Sequence, residues 1–416
     1  MPSQPHDRLE LLYRISQSFN STLELDRVLE AVIDGVISAT RAERGFLMLL
    51  EEDGRLTFRT ARGMQRETIE EKDFIISRGV VERVAVEGTP LLTSNAQRDE
   101  RLDNRASVRL YGLRSILCVP MRLKERTLGL IYVDNRLQNG VFTDDDLDLT
   151  VSIASSAAIA VENARLYQIA VEKGRMQREL QVAQDVQRSL IPTQLPALPG
   201  WTFSACWVPA RVVSGDFYDF ITLDDGTLAA LVADVSDKGL GAAMFMALSR
   251  SVLRAVAGLH GSPAQDIAKA SHLIWKDSAE NMFLTLFYTH IDPNGEDLTY
   301  VNAGHNPPLY YHAADDTLTW LNRTGMAAGV ENDTPYEQNT LHMQDGDFLV
   351  IYTDGVTDSE LTGSPLGEQG LFALVEKQRH ASADELVSAL QRELCGSSGE
   401  GQVDDLTVMV IRKNAV

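Results

Sequence analysis

The sequence contains little cysteine, with only Cys118, Cys206 and Cys395 among 416 residues. The three are far apart and form no Cys-x-x-Cys pair, which argues against a disulfide scaffold and against a structural zinc site. Cys206 is not followed by the arginine of a Cys-x5-Arg phosphatase loop, so it is interpreted as a small buried hydrophobic residue. Sparse, unpaired cysteine is typical of a reducing compartment, and we predict a cytoplasmic protein.

Long apolar runs and positive charge are also lacking. No apolar run approaches the roughly 18 residues that would predict a membrane-spanning helix. The first residues have neither the basic start nor the apolar stretch of a signal peptide. Lys and Arg number 38 against 59 Asp and Glu, so the formal net charge is -21. This balance argues against binding to nucleic acid or to an anionic membrane, since both need clustered Lys and Arg.

The acidity itself has two interpretations. It favours solubility, or it reflects carboxylates gathered to hold a cation, and composition does not choose between them. Hydrophobic residues make up 44% of the chain, which is ordinary globular composition. The length is sufficient for two or three domains.

The N-terminal part changes its hydrophobic period along the chain. Residues 8–40 have helical periodicity, with a break after Ser21 and Thr22. Alternating segments then predict strands, with one short helix between them at 80–86. The predicted strands are 45–50, 56–60, 115–121 and 127–133. This order predicts an antiparallel sheet flanked by helices.

A long helix is predicted to begin at Thr143, which can cap a first turn made of three aspartates. Its continuation over 166–190 has a heptad seam of mostly apolar residues: Leu166, Ile169, Lys173, Met176, Leu180, Ala183, Gln187 and Leu190. Such a seam predicts pairing with a second copy in a homodimer, and the alternative is one amphipathic helix packed on its own domain. Several prolines then end the helix. We predict three segments: a domain over 1–165, a helical linker over 166–200 and a second domain over 201–416.

The second domain mixes strands and helices. Predicted strands are 201–208, 216–223, 228–234, 282–291, 298–303, 309–312, 347–352 and 406–411. Predicted helices are 241–256, 263–279, 368–378 and 383–394. Strands grouped with helices in adjacent pairs indicate an α+β sandwich and not a parallel, doubly wound sheet.

Four acidic clusters lie at strand ends or tight turns of this domain, around Asp216, Asp234, Asp354 and Asp404. A carboxylate beside a buried strand is costly unless a cation pairs with it, and there are too few Lys and Arg nearby. Mg²⁺ and Mn²⁺ prefer such oxygen ligands. Two ions held close together can activate a water and hold a phosphoryl oxygen, which predicts hydrolysis of a phosphate monoester.

The same clusters support a family resemblance. Residues 175–416 resemble the metal-dependent PPM, or type 2C-like, serine/threonine phosphatases, in the bacterial branch that includes RsbU and the stage II sporulation phosphatase. The segments that carry it are 179–192, 209–219, 233–236, 302–308, 352–355 and 404–407. The resemblance implies an αββα sandwich. It departs from the pattern at Ser214 and at Asp237-Lys238, where this branch more often has glycine, Gly-Lys or Gly-His.

The resemblance also implies roles for single residues. Asp234 would bridge two Mn²⁺ or Mg²⁺ ions, and the Val235 carbonyl would bind the second. Asp354 and Asp404 would complete the first site, and Asp216 would hold the second ion or its water. Arg211 would bind the substrate phosphate through its planar fork. Asp219 and Asp405 are expected to support these residues, and His305 is expected in a structural turn, with a general-acid role as the alternative.

Residues 8–165 resemble a GAF domain. The resemblance lies in the segments 43–49, 115–121, 128–135 and 142–146. It implies a sheet flanked by helices that binds a small ligand or a partner and often dimerises. Haem is not expected, because His6 is the one histidine before residue 165. A faint match to nucleotide-binding GAF domains keeps a cyclic nucleotide open, beside a domain without ligand.

The sequence thus predicts a phosphoserine or phosphothreonine phosphatase controlled by a sensor domain. The resemblance implies a phosphorylated STAS-type anti-anti-sigma factor as substrate, in partner switching that regulates a sigma factor. We expect the sensor to act through the helical linker. One alternative is a catalytically silent docking module with the phosphatase fold. Another is a nucleotide cyclase, but the sequence does not have metal-binding and base-recognition residues in the order that a cyclase needs.

Overall fold

The structure is a computed structural model that describes residues 5–19, 21–51, 53–70, 76–93, 96, 114–136, 141–278, 282–293, 295–361, 364–395 and 404–414. The chain forms two compact units, unit 1 over Met1–Arg175 and unit 2 over Met176–Val416. The three predicted segment boundaries stay a prediction. None of the helices in the described ranges has the length and hydropathy needed to cross a membrane.

Unit 1 is built on one five-stranded antiparallel sheet. The strands are β1 (Arg44–Leu50), β2 (Leu56–Gly63), β3 (Leu91–Thr93), β4 (Ser115–Leu123) and β5 (Arg126–Asn135). Their order across the sheet is β2-β1-β5-β4-β3, and each neighbouring pair is antiparallel. The helices of this part are α1 (Pro5–Phe19), α2 (Leu25–Thr40) and α3 (Arg78–Glu87).

Alternation along β5 explains why this sheet has helices on both faces. Ile131 and Val133 belong to the core that α1 and α2 cover, while Leu130 and Tyr132 belong to the core beneath α3. Successive side chains of a strand point to opposite faces, so a strand that is apolar at every position must be covered twice. The predicted sheet flanked by helices is confirmed.

Helix α4 (Asp144–Leu190) begins as predicted, with a reciprocal cap. The Thr143 hydroxyl accepts from the Asp146 amide at 3.3 Å, and the Asp146 carboxylate accepts from the Thr143 amide at 2.9 Å. Small residues up to Ala164 are buried in the core of unit 1, and no side chain from 165 to 186 is buried. Leu166, Ile169 and Met176 of the predicted seam are more than half exposed.

Unit 2 contains two five-stranded antiparallel sheets. The first has the order β13-β10-β9-β8-β7 and the second β12-β11-β14-β17-β6. The strands are β6 (Trp201–Val208), β7 (Phe217–Thr222), β8 (Leu228–Val235), β9 (Leu284–Ile291), β10 (Asp297–Ala303), β11 (Leu309–His312), β12 (Thr317–Trp320), β13 (Asn339–His342), β14 (Phe348–Tyr352) and β17 (Leu406–Lys413), with a two-stranded ribbon β15 (Glu360–Leu361) and β16 (Ser364–Pro365).

Two pairs of helices cover these sheets. Helices α5 (Leu240–Val256) and α6 (Pro263–Asp277) pack on the first sheet, and α8 (Gly367–Gln378) and α9 (Ala383–Cys395) pack on the second. A short helix, α7 (Asp354–Thr357), follows β14. Along β14, Leu349 and Ile351 belong to the core between the sheets, while Phe348 and Val350 face the α8/α9 side. The predicted αββα sandwich is therefore confirmed.

The differences from the predicted elements are local. Strands β12 and β13 were not predicted, because each has only four residues, which is too short for a pattern of alternating side chains to identify a strand. Helix α6 ends at Asp277, and residue 279 of the predicted helix lies outside the described residues. Strand β9 begins at Leu284, two residues after the predicted start.

Candidate metal and phosphate site

Four aspartates converge where strands of both sheets end. Asp216 directly precedes β7, Asp234 is next to the end of β8, Asp354 follows β14 by two residues and Asp404 precedes β17 by two. Strands β7 and β8 are neighbours in one sheet, and β14 and β17 are neighbours in the other. We call Asp216, Asp234, Asp354 and Asp404 the carboxylate cluster. The structure brings all four predicted carboxylates together.

Asp216 is the most buried member, with 2% of its surface exposed. One carboxylate oxygen, Oδ2, accepts hydrogen bonds from the Thr353 hydroxyl at 2.5 Å and from the Thr407 hydroxyl at 2.8 Å. Burial raises the pKa of Asp216 well above its ordinary range, and the nearby Asp234 carboxylate raises it further. The two hydroxyls oppose this effect and fix the orientation of the carboxylate.

The other members of the cluster repel one another. Burial raises the pKa of Asp234 to about 7, and the charges on Asp354 and Asp404 add to the shift. Burial and the Asp404 charge also raise the pKa of Asp354. Among the described residues, no Lys or Arg forms an ion pair with Asp216, Asp234 or Asp354. Gathered oxygen ligands without cation partners fit hard divalent ions such as Mg²⁺ or Mn²⁺.

Glycine is required where backbone approaches this cluster. A Cβ at Gly355 would lie 1.9 Å from the Asp405 carbonyl oxygen, which no side chain allows. A Cβ at Gly215 would lie 3.2 Å from the carbonyl oxygen of Val235, the predicted carbonyl ligand. These two glycines let the Asp216, Asp354 and Asp404 segments close around the cluster.

One carboxylate of the site was missed by the sequence reasoning. Asp358 lies four residues after Asp354, and one oxygen each from Asp354, Asp358 and Asp404 lie within 4.8 Å of one another. The signal that could have revealed Asp358 is its spacing from Asp354, since residues four apart lie on the same side of a helical turn.

A lysine shares the cluster with the carboxylates. Lys238 Nζ is 2.7 Å from Asp404 Oδ2, and this contact raises the pKa of Lys238. The residue before it, Asp237, has a φ of 79°, a conformation that favours glycine and that aspartate tolerates better than most residues. The unusual Asp237-Lys238 pair therefore places a cation against one predicted metal ligand.

Arg211, the predicted phosphate-binding residue, lies near Lys238. Its side chain is exposed, and its charge is close enough to oppose that on Lys238. It precedes Asp216 within the segment that joins β6 to β7, residues 209–216, which we call the Asp216 loop. An exposed guanidinium at this position is accessible to a phosphate carried by another protein.

The two aspartates expected to support the site have different positions. Asp405 accepts from the Ala210 amide at 2.8 Å and from the Gly215 amide at 2.9 Å, so it holds the Asp216 loop at both ends. Asp219 is fully buried and pairs with Arg250 at 3.0 Å and with Arg254. It fixes α5 to β7, and none of its described contacts is with the carboxylate cluster.

His305 is enclosed and not presented to a substrate. It is 1% exposed, and its Nδ1 lies 2.8 Å from the Thr285 hydroxyl. Its backbone amide donates to Asn302 Oδ1 at 2.8 Å. Burial lowers the pKa of His305 to about 3, so the ring is neutral at physiological pH. This geometry favours the structural interpretation over general acid catalysis.

The last turn of α4 reaches the Asp216 loop through Gln187. This residue was predicted on the heptad seam, but it is 4% exposed and bonds to the backbone of Ser214. The prediction was wrong for this position, because the amide finds both of its partners inside unit 2. A glutamine in a mostly apolar seam was the available signal.

Comparisons with known proteins address both units. Residues 224–414 match the family model "Stage II sporulation protein E (SpoIIE)", and residues 24–161 match "GAF domain". The chain is 30% identical over 237 residues to "Phosphoserine phosphatase RsbU" of Bacillus subtilis, covering 56% of this chain and 70% of that protein. It is 33% identical over 276 residues to "Protein IcfG" of Synechocystis, covering 59% of this chain and 43% of that protein.

A solved structure supports the fold of unit 2. The SiaA-PP2C domain of Pseudomonas aeruginosa matches with a TM-score of 0.52 and 21% identity, over 58% of this chain and 99% of that domain. At that identity the match concerns the arrangement of the sheets and helices, which agrees with the sandwich described above.

Proposed function

The chain belongs to the RsbU-like family of metal-dependent protein phosphatases and has a GAF domain in unit 1, and from this premise we propose its substrate, its metal site and its mode of control. It is a serine/threonine protein phosphatase. The proposed substrate is a phosphoserine or phosphothreonine of a STAS-type regulatory protein. The observation that carries the proposal is the carboxylate cluster, in which Asp216 is buried and no member has an arginine partner among the described residues.

The metal site is assigned to residues of both sheets. Asp234 would hold two Mn²⁺ or Mg²⁺ ions, with the Val235 carbonyl on the second ion. Asp354 and Asp404 would complete the first site, to which Asp358 is close enough to contribute. Asp216 would serve the second ion. When bound, such ions supply the Lewis acidity that activates water and neutralises phosphoryl charge.

The protein's own groups then have distinct tasks. Thr353 and Thr407 hold the Asp216 carboxylate in one orientation. Arg211 is exposed and would bind phosphate oxygens of the incoming phosphoprotein. In the reaction, a water oxygen bonds to phosphorus, the bond from phosphorus to the serine oxygen breaks, and that oxygen takes a proton. The products are the free hydroxyl and inorganic phosphate.

Control is assigned to unit 1 and to α4. The GAF domain would bind a small ligand or a partner, as its sheet and helices are typical of that family. The exposed residues Leu166, Ile169 and Met176 keep heptad spacing, and they support a homodimer through this part of α4. The dimer would let a change in unit 1 reach unit 2 as a shift in helix packing.

The test is hydrolysis of p-nitrophenyl phosphate and of a phosphoserine peptide by the full chain with Mn²⁺, against EDTA. Asp234→Asn should lower turnover by roughly 10³-fold or more, because it removes the central charge of the cluster. Asp277→Asn is the matched control, since Asp277 is exposed at the end of α6. Calorimetry should show Mn²⁺ binding by the wild type and its loss in Asp234→Asn. Absence of both binding and turnover in the wild type would favour the docking-module alternative.

A further inference from the structure

The last turn of α4 contains a buried carboxamide whose contacts serve neither a dimer seam nor the apolar core. Gln187 Nε2 donates to the Ser214 carbonyl oxygen at 2.6 Å, and Gln187 Oε1 accepts from the Ser214 amide at 2.9 Å. Only one orientation of the side-chain amide makes both bonds, because the nitrogen can only donate and the oxygen can only accept. Gln187 therefore satisfies both the amide and the carbonyl of Ser214, as the backbone of a neighbouring antiparallel strand would.

Ser214 passes this restraint to the carboxylate cluster. Its hydroxyl accepts from the Asp216 amide at 3.0 Å, and Ser214 itself is fully buried. On its other side the Asp216 loop is held by Asp405, through the amides of Ala210 and Gly215. The loop that carries Asp216 is thus fixed at two points, one from the segment before β17 and one from α4.

Gln187 is also the first point at which α4 is buried again. No side chain between 165 and 186 is buried, and Val182 and Val186 are 63% and 58% exposed. Beyond Gln187, Ile191 joins the core of unit 2, and the Tyr218 hydroxyl donates to the Pro192 carbonyl oxygen at 3.1 Å. A displacement of α4 therefore meets the Asp216 loop at Gln187 before it meets any other buried group.

We propose that Gln187 is a positioning residue that couples the last turn of α4 to the metal-binding geometry of Asp216. The inference rests on the proposed function, because it assigns Asp216 to a metal. If the turn rotates away, the Ser214 amide and carbonyl lose their partners in a buried place, and the loop must rearrange to satisfy them.

The test uses Gln187→Leu in the full chain, with Mn²⁺ binding followed by calorimetry and p-nitrophenyl phosphate turnover followed as a function of Mn²⁺. Loss of the two hydrogen bonds between Gln187 and Ser214 should weaken Mn²⁺ binding by roughly tenfold, the usual effect of removing a group that orients a metal ligand. Saturating Mn²⁺ should restore most of the turnover, because no group that contacts the substrate has changed. Gln184→Leu, one turn away and bonded only to Gln181 among the described contacts, should behave as wild type.

A purely structural role makes a different prediction. In that case Gln187→Leu lowers the thermal midpoint but leaves the Mn²⁺ affinity within about twofold of wild type, and this outcome would overturn the proposal. Gln187→Glu is the second variant, because it keeps the size and one acceptor but repels the Ser214 carbonyl. If Gln187→Leu fails to fold by circular dichroism, an unchanged Mn²⁺ affinity in Gln187→Glu overturns the proposal instead. A wild type that binds no Mn²⁺ refutes the proposed function. An active wild type whose Mn²⁺ affinity is matched by both variants refutes only the coupling through Gln187.

Discussion

Buried carboxylates are treated in opposite ways in the two units. In unit 1, Asp134 is fully buried and receives two hydrogen bonds from Arg44, and Asp34 receives both arms of the Arg62 guanidinium at 3.0 and 3.1 Å. In unit 2, Asp216 and Asp234 have no such arginine among the described contacts. Asp134 and Asp34 of unit 1 are thus neutralised by arginine, whereas Asp216 and Asp234 of unit 2 lie beside other carboxylates.

The pKa values follow the same division. Burial raises the pKa of Asp134, but the Arg44 charge opposes that rise. For Asp216 the strongest neighbouring charge is another carboxylate, so burial and charge act in the same direction. Unit 2 is able to pair acids with arginine, since Asp219 is held by Arg250 and Arg254. The lack of an arginine partner among the described residues is therefore specific to the carboxylate cluster and is not general to unit 2.

The largest expected effect is the loss of an internal cation from unit 1. Arg44→Met removes the hydrogen-bonded cation from buried Asp134, with the Arg136 charge still nearby, and should destabilise unit 1 by about 3 kcal/mol. All four tryptophans, at 201, 207, 275 and 320, lie in unit 2. Urea unfolding followed by far-UV circular dichroism should thus shift, while the tryptophan fluorescence transition should not. Arg55→Met, at an 85% exposed side chain, is the control, and an equal shift there would contradict the comparison.

The opposite sign is expected in unit 2. In EDTA at about pH 8, Asp234→Asn should stabilise unit 2 by about 2 kcal/mol, because it removes one of several ionised carboxylates that repel one another. Tryptophan fluorescence in urea measures this. Asp277→Asn should change the unfolding free energy by less than about 0.5 kcal/mol. A destabilised Asp234→Asn variant would break the comparison, since the cluster would then not be repulsive.

The next effect is the dependence of stability on pH that buried, neutral His305 causes. The pKa of His305 is lowered to about 3, so below about pH 6.5 the unfolded chain takes up a proton that the folded chain refuses. The stability from His305 is therefore present above that pH and is lost as the pH falls. Between about pH 7 and pH 5 the loss should be about 2 kcal/mol larger in the wild type than in His305→Gln. Urea unfolding measures both losses, and an equal loss of stability in the wild type and in His305→Gln would show that the pKa of His305 is not lowered.

The smallest effect concerns Lys238, a cation beside the cluster. Lys238 pairs with Asp404, so a metal ion that uses this oxygen must displace it. Lys238→Met should tighten Mn²⁺ binding by up to about fivefold, since a half-exposed ion pair contributes at most about 1 kcal/mol. Calorimetry at low ionic strength measures the change. Lys276→Met, at an exposed position of α6, is the control, and weaker binding in Lys238→Met would mean that the lysine assists the metal.

The sequence predicted the fold where continuous apolar runs mark buried strands. Residues 348–352 and 406–411 are apolar at nearly every position, and both form strands covered on two sides. Strands β12 and β13 lack this signal, because a largely exposed strand is defined by its partner's backbone and not by its own side chains. The family resemblance of both halves is confirmed by the comparisons.

The site was predictable to the extent that it lies at strand ends. Asp216, Asp234, Asp354 and Asp404 are visible as acids beside apolar runs, and the structure brings them together, while their individual roles stay predictions. Gln187 and Lys238 depend on contacts with residues 214 and 404, which no local pattern encodes. Hydrogen bonds between distant segments are fixed only once the strands are paired.

The unburied stretch of α4 between residues 165 and 186 has a consequence for how such proteins diversify. Side chains there pack in neither hydrophobic core, so positions outside the proposed dimer seam can accept substitutions provided that the stretch stays helical and keeps its rotation relative to Gln187. Exchange of one input domain for another should therefore succeed when the junction adds or removes about two whole helical turns, and fail at intermediate lengths. Under this expectation, the rotation of α4 that is set by the length of the junction decides whether a fusion is functional.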